Sequence, residues 1–157
     1  MSRIVIVNII LLITWLVVIF MLSSEPSTVS SARSDAIVDT VKTINPSVTN
    51  TENISFLVRK AAHITAYFIL GILILRVVRA YSRIPQKAII LCIMFVAVYA
   101  ISDELHQLLI NGRSAEVRDV LIDTTAGAAG VLLTYAVIRW HALRTGVNTG
   151  KKPQNNL

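Results

Sequence analysis

The chain has 157 residues, 54% hydrophobic and 15% charged, with a mean hydropathy of +0.66 and a formal net charge of +6. It is too apolar for an ordinary soluble domain and too patterned for a disordered one, and its basic residues flank apolar segments instead of forming the face a nucleic-acid binder needs. A single cysteine, Cys92, excludes an intrachain disulfide framework and a cysteine-built zinc site.

Ile4 to Leu22 is a nearly unbroken apolar run, preceded by Arg3 and interrupted only by Asn8 and Thr14, long enough to cross a bilayer as a helix. A cleaved signal peptide would have a shorter apolar region and a small-residue cleavage site, whereas Ser23, Ser24, Glu25 and Pro26 follow here, so a retained anchor is expected. From Ser23 to Asn53 the composition turns to Ser, Thr, Asn, Pro and mixed charge, which reads as a water-exposed loop of roughly thirty residues. Within it Ile37, Val41 and Ile44 recur at helical spacing. They suggest a short amphipathic helix on the membrane surface or over a cavity, with a solvated loop as the alternative.

The second span, about Ile54 to Val78, carries Arg59, Lys60, His63 and Tyr67 in its first half, and the i, i+3, i+7 spacing puts Lys60, His63 and Tyr67 on one face. Arg76, Arg79, Arg83 and Lys87 follow around Pro85 with no acid among them, as in a cytoplasmic loop. The third span runs from Ala88 to about Ile110, Asn111 and Gly112 form a turn, and the fourth runs from Val117 to about Trp140, with Ser114 the expected N-cap. The chain is therefore expected to be an all-α membrane protein: four transmembrane helices over residues 1–145, both termini inside, an extracytoplasmic loop after the first helix, and a polar cytoplasmic tail over 146–157. This arrangement leaves nine basic residues and no acid inside, against six basic and nine acidic residues outside. Such segregation sets the orientation.

At about 1.5 Å of rise per residue, Lys60, His63, Asp103, Glu104 and Asp123 fall at one level in the outer leaflet. Tyr99, Asp103 and Gln107 share a face of the third helix, as do Asp119, Asp123 and Gly127 on the fourth. Ionisable groups in a membrane are costly unless paired, so Lys60, Arg113 and Arg118 are expected to face Asp103, Glu104, Asp119 and Asp123. Ala126 and Gly130, with Gly127 beside them, form a small-residue face that draws the fourth helix against a neighbour. The outward N-termini of the second and fourth spans, together with Lys60 and Arg113, could receive a phosphate or carboxylate. The candidate polar pocket thus comprises Lys60, His63, Tyr67, Asp103, Glu104, Gln107, Arg113, Asp119 and Asp123. His106 lies off the shared face and takes a lesser role; Cys92 is lipid-facing or packed, and Trp15 is a packing residue.

Three polar blocks carry a family resemblance. Lys60, His63, Tyr67 and Gly71 fit KxxHxxxYxxLG, Ser102 to Gln107 fits SDExxQ, and Gly112 and Arg113 are followed by Asp119, Asp123, Gly127 and Gly130. In this order they resemble the VanZ-like family of small bacterial membrane proteins, over about Ile4 to Trp140. Glu25 stands where the family often has glutamine, and Asp123 where many members have asparagine, which adds an acid to the cluster. The resemblance implies an envelope function, because the family's namesake is associated with low-level resistance to teicoplanin, a glycopeptide acting on lipid-linked cell-wall precursors.

The leading expectation is recognition of an anionic envelope lipid or lipid-linked precursor, with Lys60 and Arg113 as charge partners and His63 and Tyr67 as hydrogen-bonding groups. An intramembrane hydrolase or transferase is the alternative, with His63, Asp103 or Glu104 as general base or divalent-metal ligand; no HExxH, nucleophile elbow or Gly-rich phosphate loop accompanies them. An oligomeric transporter is the third reading. Pairing that only fixes helix register is the plainest one.

Overall fold

The computed structural model describes residues 2–44, 51–81, 84 and 86–145; Arg83, Pro85 and the tail over 146–157 lie outside the described residues. Five helices follow in order: α1 (Arg3–Ser23), α2 (Ser27–Ile44), α3 (Thr51–Tyr81), α4 (Gln86–Gln107) and α5 (Val117–Arg144). Four of them, α1, α3, α4 and α5, are long and apolar enough to cross a membrane. The first helix is capped by Ser2, whose Oγ accepts from the Val5 amide. The third expected span stops short of Ile110: α4 ends at Gln107, and the amides of Leu109 and Ile110 turn back to the His106 and Gln107 carbonyls. Gly112, at φ 75°, occupies the left-handed region that a side chain rarely adopts, as expected of the turn.

The long helix α3 is central and packs against α1, α2, α4 and α5. Its approach to α5 depends on missing side chains. A Cβ on Gly71 would run into the Gly127 carbonyl, and one on Gly130 would run into that of Phe68. The expected small-residue face of α5 thus meets α3, with Gly71 as its counterpart. Around this seam lie two apolar clusters, one of Ile19, Tyr67, Leu70, Val96 and Ala100, the other of Ile74, Leu75, Cys92 and Val131. Cys92 is packed. Trp15 packs too, and its indole N–H donates to the Ala66 carbonyl at 2.9 Å, joining α1 to α3.

The outer faces of the spanning helices are apolar. Ile6, Ile10, Ile13 and Val17 on α1 are exposed, as are Ile90, Leu91, Met94 and Val98 on α4 and Leu132 and Leu133 on α5. Hydroxyls among them turn inward to their own helix: Thr65 donates to the Ala61 carbonyl, Thr125 to that of Leu121 and Thr134 to that of Gly130. That is how polar groups are accommodated where hydrocarbon offers no partner.

The helix α2 exists and is longer than the short one expected; it packs inward through Ser34 and Val38, while Ile37 borders a cavity. Val38 is 2% exposed and Ser34 is buried, whereas Ile37 is 47% and Ile44 81% exposed. The Val41 side chain lies outside the described residues. Small serines allow α2 to lie close on α3, and this places Ser27 and Ser30 over the site end of the bundle.

The close α3–α5 seam yields a first test. Gly71→Val or Gly130→Val will lower stability by about 1–3 kcal/mol, the usual cost of forcing extra volume into a packed contact. Ala129→Val, on the exposed side of α5, will change it by less than about 0.5 kcal/mol. Denaturation of the three variants in detergent micelles measures both.

Candidate functional site

The polar residues converge at one end of the bundle, where the C-termini of α1 and α4 meet the N-terminal parts of α3 and α5. Lys60 on α3 forms an ion pair with Asp119 on α5, and its ammonium also lies 5.3 Å from the centre of the Phe56 ring. One turn deeper, His63 Nδ1 faces Asp123 Oδ2 at 3.4 Å. The i, i+3 spacing on α3 and the i, i+4 spacing on α5 thus align two acid–base pairs in the same register. Deeper still, Tyr67 is fully buried, its ring centroid 6.2 Å from that of Tyr99.

The α4 block forms the back wall. Gln107 donates to Ser23 Oγ at 2.8 Å and lies 3.5 Å from Asp103 Oδ2, so a buried amide ties α4 to the end of α1. Tyr99 donates to the Leu16 carbonyl at 2.7 Å, and His106 Nε2 lies 3.0 Å from Ser24 Oγ with its ring stacked on Phe20. His106 is therefore a joint between α4 and α1.

Two expectations about helix ends are corrected. The N-cap of α5 is Glu116, not Ser114, and it makes no side-chain cap bond. Its amide is instead taken by Glu104 Oε1 at 2.7 Å, so an acid from α4 already occupies the electropositive end of α5 that was expected to receive an external anion. Arg118 is also removed from the cluster: it is exposed, and it borders a separate apolar depression with Ile64 and Leu121.

In front of the paired acids lies a cavity of about 190 Å³. Six of the expected pocket residues line it: Lys60, His63, Gln107, Arg113, Asp119 and Asp123. Tyr67, Asp103 and Glu104 do not, and they support the wall from behind. Sequence reasoning missed Arg59, Ser27 and Ser30, which line the α2 side. Arg59 donates to Ser31 Oγ at 2.5 Å, and Arg113 Nε donates to the Glu25 carbonyl at 3.3 Å. The Glu25 carboxylate itself is held by Arg33 at 2.6 Å. Among the described residues, then, neither Arg59 nor Arg113 has a carboxylate within ion-pair distance. Burial, and next the proximity of Arg59, push the Arg113 guanidinium down from its ordinary value, with Asp103, Glu25 and Glu104 opposing. An arginine nonetheless stays charged. Also among the described residues, no three His, Cys, Asp or Glu side chains group as a metal site.

Four helices apolar enough to span a membrane, with a charged cavity at one end of the bundle, define a small multi-pass membrane protein. The chain belongs to the VanZ/LLP1 family, whose model matches residues 8–139. No curated protein and no solved structure matches it.

The Lys60–Asp119 pair can be tested by exchange. Asp119→Lys alone will destabilise the protein by about 2 kcal/mol through an unpaired, half-buried charge, and adding Lys60→Asp will recover more than half of that. A double-mutant cycle in micelles reads the coupling.

Proposed function

We propose that this VanZ-family protein holds the anionic group of an envelope lipid or lipid-linked cell-wall precursor in the cavity bordered by Arg59 and Arg113. Through that binding it contributes to cell-envelope resistance of the glycopeptide type. The observation that carries this reading is the division of charge within the cavity. Lys60 and His63 are matched by Asp119 and Asp123, whereas Arg59 and Arg113, which line the cavity with Ser27 and Ser30, donate to the Ser31 hydroxyl and the Glu25 carbonyl and have no carboxylate within ion-pair distance among the described residues. Two guanidiniums brought together at a cost in mutual repulsion, beside hydroxyl donors, suit a phosphate or carboxylate that would bridge them. The volume supports it as well, since about 10–15 Å³ admits one water and this cavity is many times larger.

Orientation follows from charge. At the end opposite the cavity lie Arg3, Arg76, Arg79, Lys87, Arg139 and Arg144, with no acid among the described residues there. The positive-inside rule puts that end, and both termini, in the cytoplasm, and the cavity at the outer leaflet of the plasma membrane.

A second reading is favoured by one contact. With Nδ1 directed at Asp123, the His63 imidazole is oriented by a carboxylate and keeps Nε2 to exchange a proton, as in a general base of a hydrolase or transferase. Purified protein incubated with extracted envelope lipids, with and without EDTA, will yield a product if this holds; unchanged lipids under both conditions contradict it.

For the binding reading, Arg59→Gln and Arg113→Gln will each weaken association with phosphatidate-containing nanodiscs by about tenfold, the loss expected of one charge-assisted contact. Arg118→Gln, outside the cavity, will leave it unchanged. Equal binding by all three variants contradicts the reading.

A further inference from the structure

Beside the charged cavity lies a second one of about 130 Å³ between α1, α2 and α3. Most of its wall surface is apolar, from Ile19 and Leu22 of α1, Ile37 of α2, and Val58, Ala62 and Ala66 of α3, and the mutually paired Glu25 and Arg33 border it as well. Four residues, Ser30, Arg59, His63 and Arg113, border both cavities, so the two meet at the Arg59 and Arg113 guanidiniums. The rim is open, since Leu22 is 42% and Ile37 47% exposed. Two of the three walls belong to helices apolar enough to span a membrane.

From this continuity we infer that the protein takes an anionic membrane lipid in two compartments, with the headgroup between Arg59 and Arg113 and an acyl or prenyl chain in the α1–α2–α3 cleft. The inference rests on the headgroup reading above and adds where the chain goes. A soluble anion needs no apolar annex. A lipid does, because its chain must leave the charged cavity through surroundings that do not strand it against polar groups. The cleft also accounts for the placement of α2. By packing through Ser34 and Val38 and leaving Ile37 outward, α2 supplies hydroxyls to the headgroup side and one apolar side chain to the cleft. Ala62 and Ala66 keep the α3 wall low, so the cleft has width where larger residues would close it.

The test uses the full chain in nanodiscs containing a trace of phosphatidate with a mid-chain diazirine, cross-links being mapped by mass spectrometry. A titration with glycerol 3-phosphate serves as the headgroup-only probe. Labelling at Val58, Ala62 and Ile37 is expected to exceed that at the exposed positions Leu91 and Leu132 by about tenfold, since a held chain samples few neighbours. Ala62→Trp and, from the opposite wall, Leu22→Trp will reduce cleft labelling by about fivefold while glycerol 3-phosphate binding is retained. Both positions are exposed, so the added bulk enters the cleft and not the packed seam. Labels spread evenly over the exposed apolar residues overturn the chain site, as does an equal loss of both probes in the tryptophan variants. If glycerol 3-phosphate binding remains sensitive to Arg59→Gln in those cases, the headgroup reading survives alone; if it does not, both fall.

Discussion

The ion pair between Lys60 and Asp119 is the constraint on which the site depends. A charge in an apolar helix is tolerated only with a partner, and each of these finds its partner on the other helix. That requirement fixes the register of α3 against α5, and the glycine seam makes the register reachable, because Gly71, Gly127 and Gly130 let the two backbones approach. Once Lys60 meets Asp119, His63 must meet Asp123 one turn further on. The cavity follows in front of them. Packing and electrostatics therefore specify the same alignment, and neither alone would place the other's residues.

Neutralisation within these pairs also decides which charges remain for a ligand. The acids are largely spent on structure: Asp119 and Asp123 on α3, Glu104 on the amide that opens α5, and Asp103 beside the Gln107–Ser23 link. Arg59 and Arg113 are left with neutral oxygen acceptors. Asp119 and Asp123 thus hold Lys60 and His63 in place, Glu104 and Asp103 tie α4 to the start of α5 and the end of α1, and under the proposed function recognition falls to the basic wall.

Much of this was legible in the residues themselves. Four apolar runs gave the spans, and helical spacing gave the shared faces of Lys60, His63 and Tyr67 and of Asp119 and Asp123. Arg59 was missed for a geometric reason: it lies about 100° around the helix from Lys60, so selecting the i, i+3, i+7 face excludes it. Only the presence of α2 on that other side turns it into part of a cavity. The sequence analysis followed the apolar residues of α2 and did not single out the face that packs inward, Ser34 and Val38. Small serines pack well against a neighbouring helix but carry no hydropathy signal, so only the apolar residues of α2 stood out. Glu104 as the partner of the Glu116 amide depends on how the loop after Gln107 folds back, which no local spacing reveals.

The most direct measurement is an experimental structure of the protein in nanodiscs containing phosphatidate. Phosphate density bridging the Arg59 and Arg113 guanidiniums is expected, with Lys60 still on Asp119 and His63 on Asp123. Arg59 and Arg113 each paired with a carboxylate of the chain, in a cavity without such density, would contradict it.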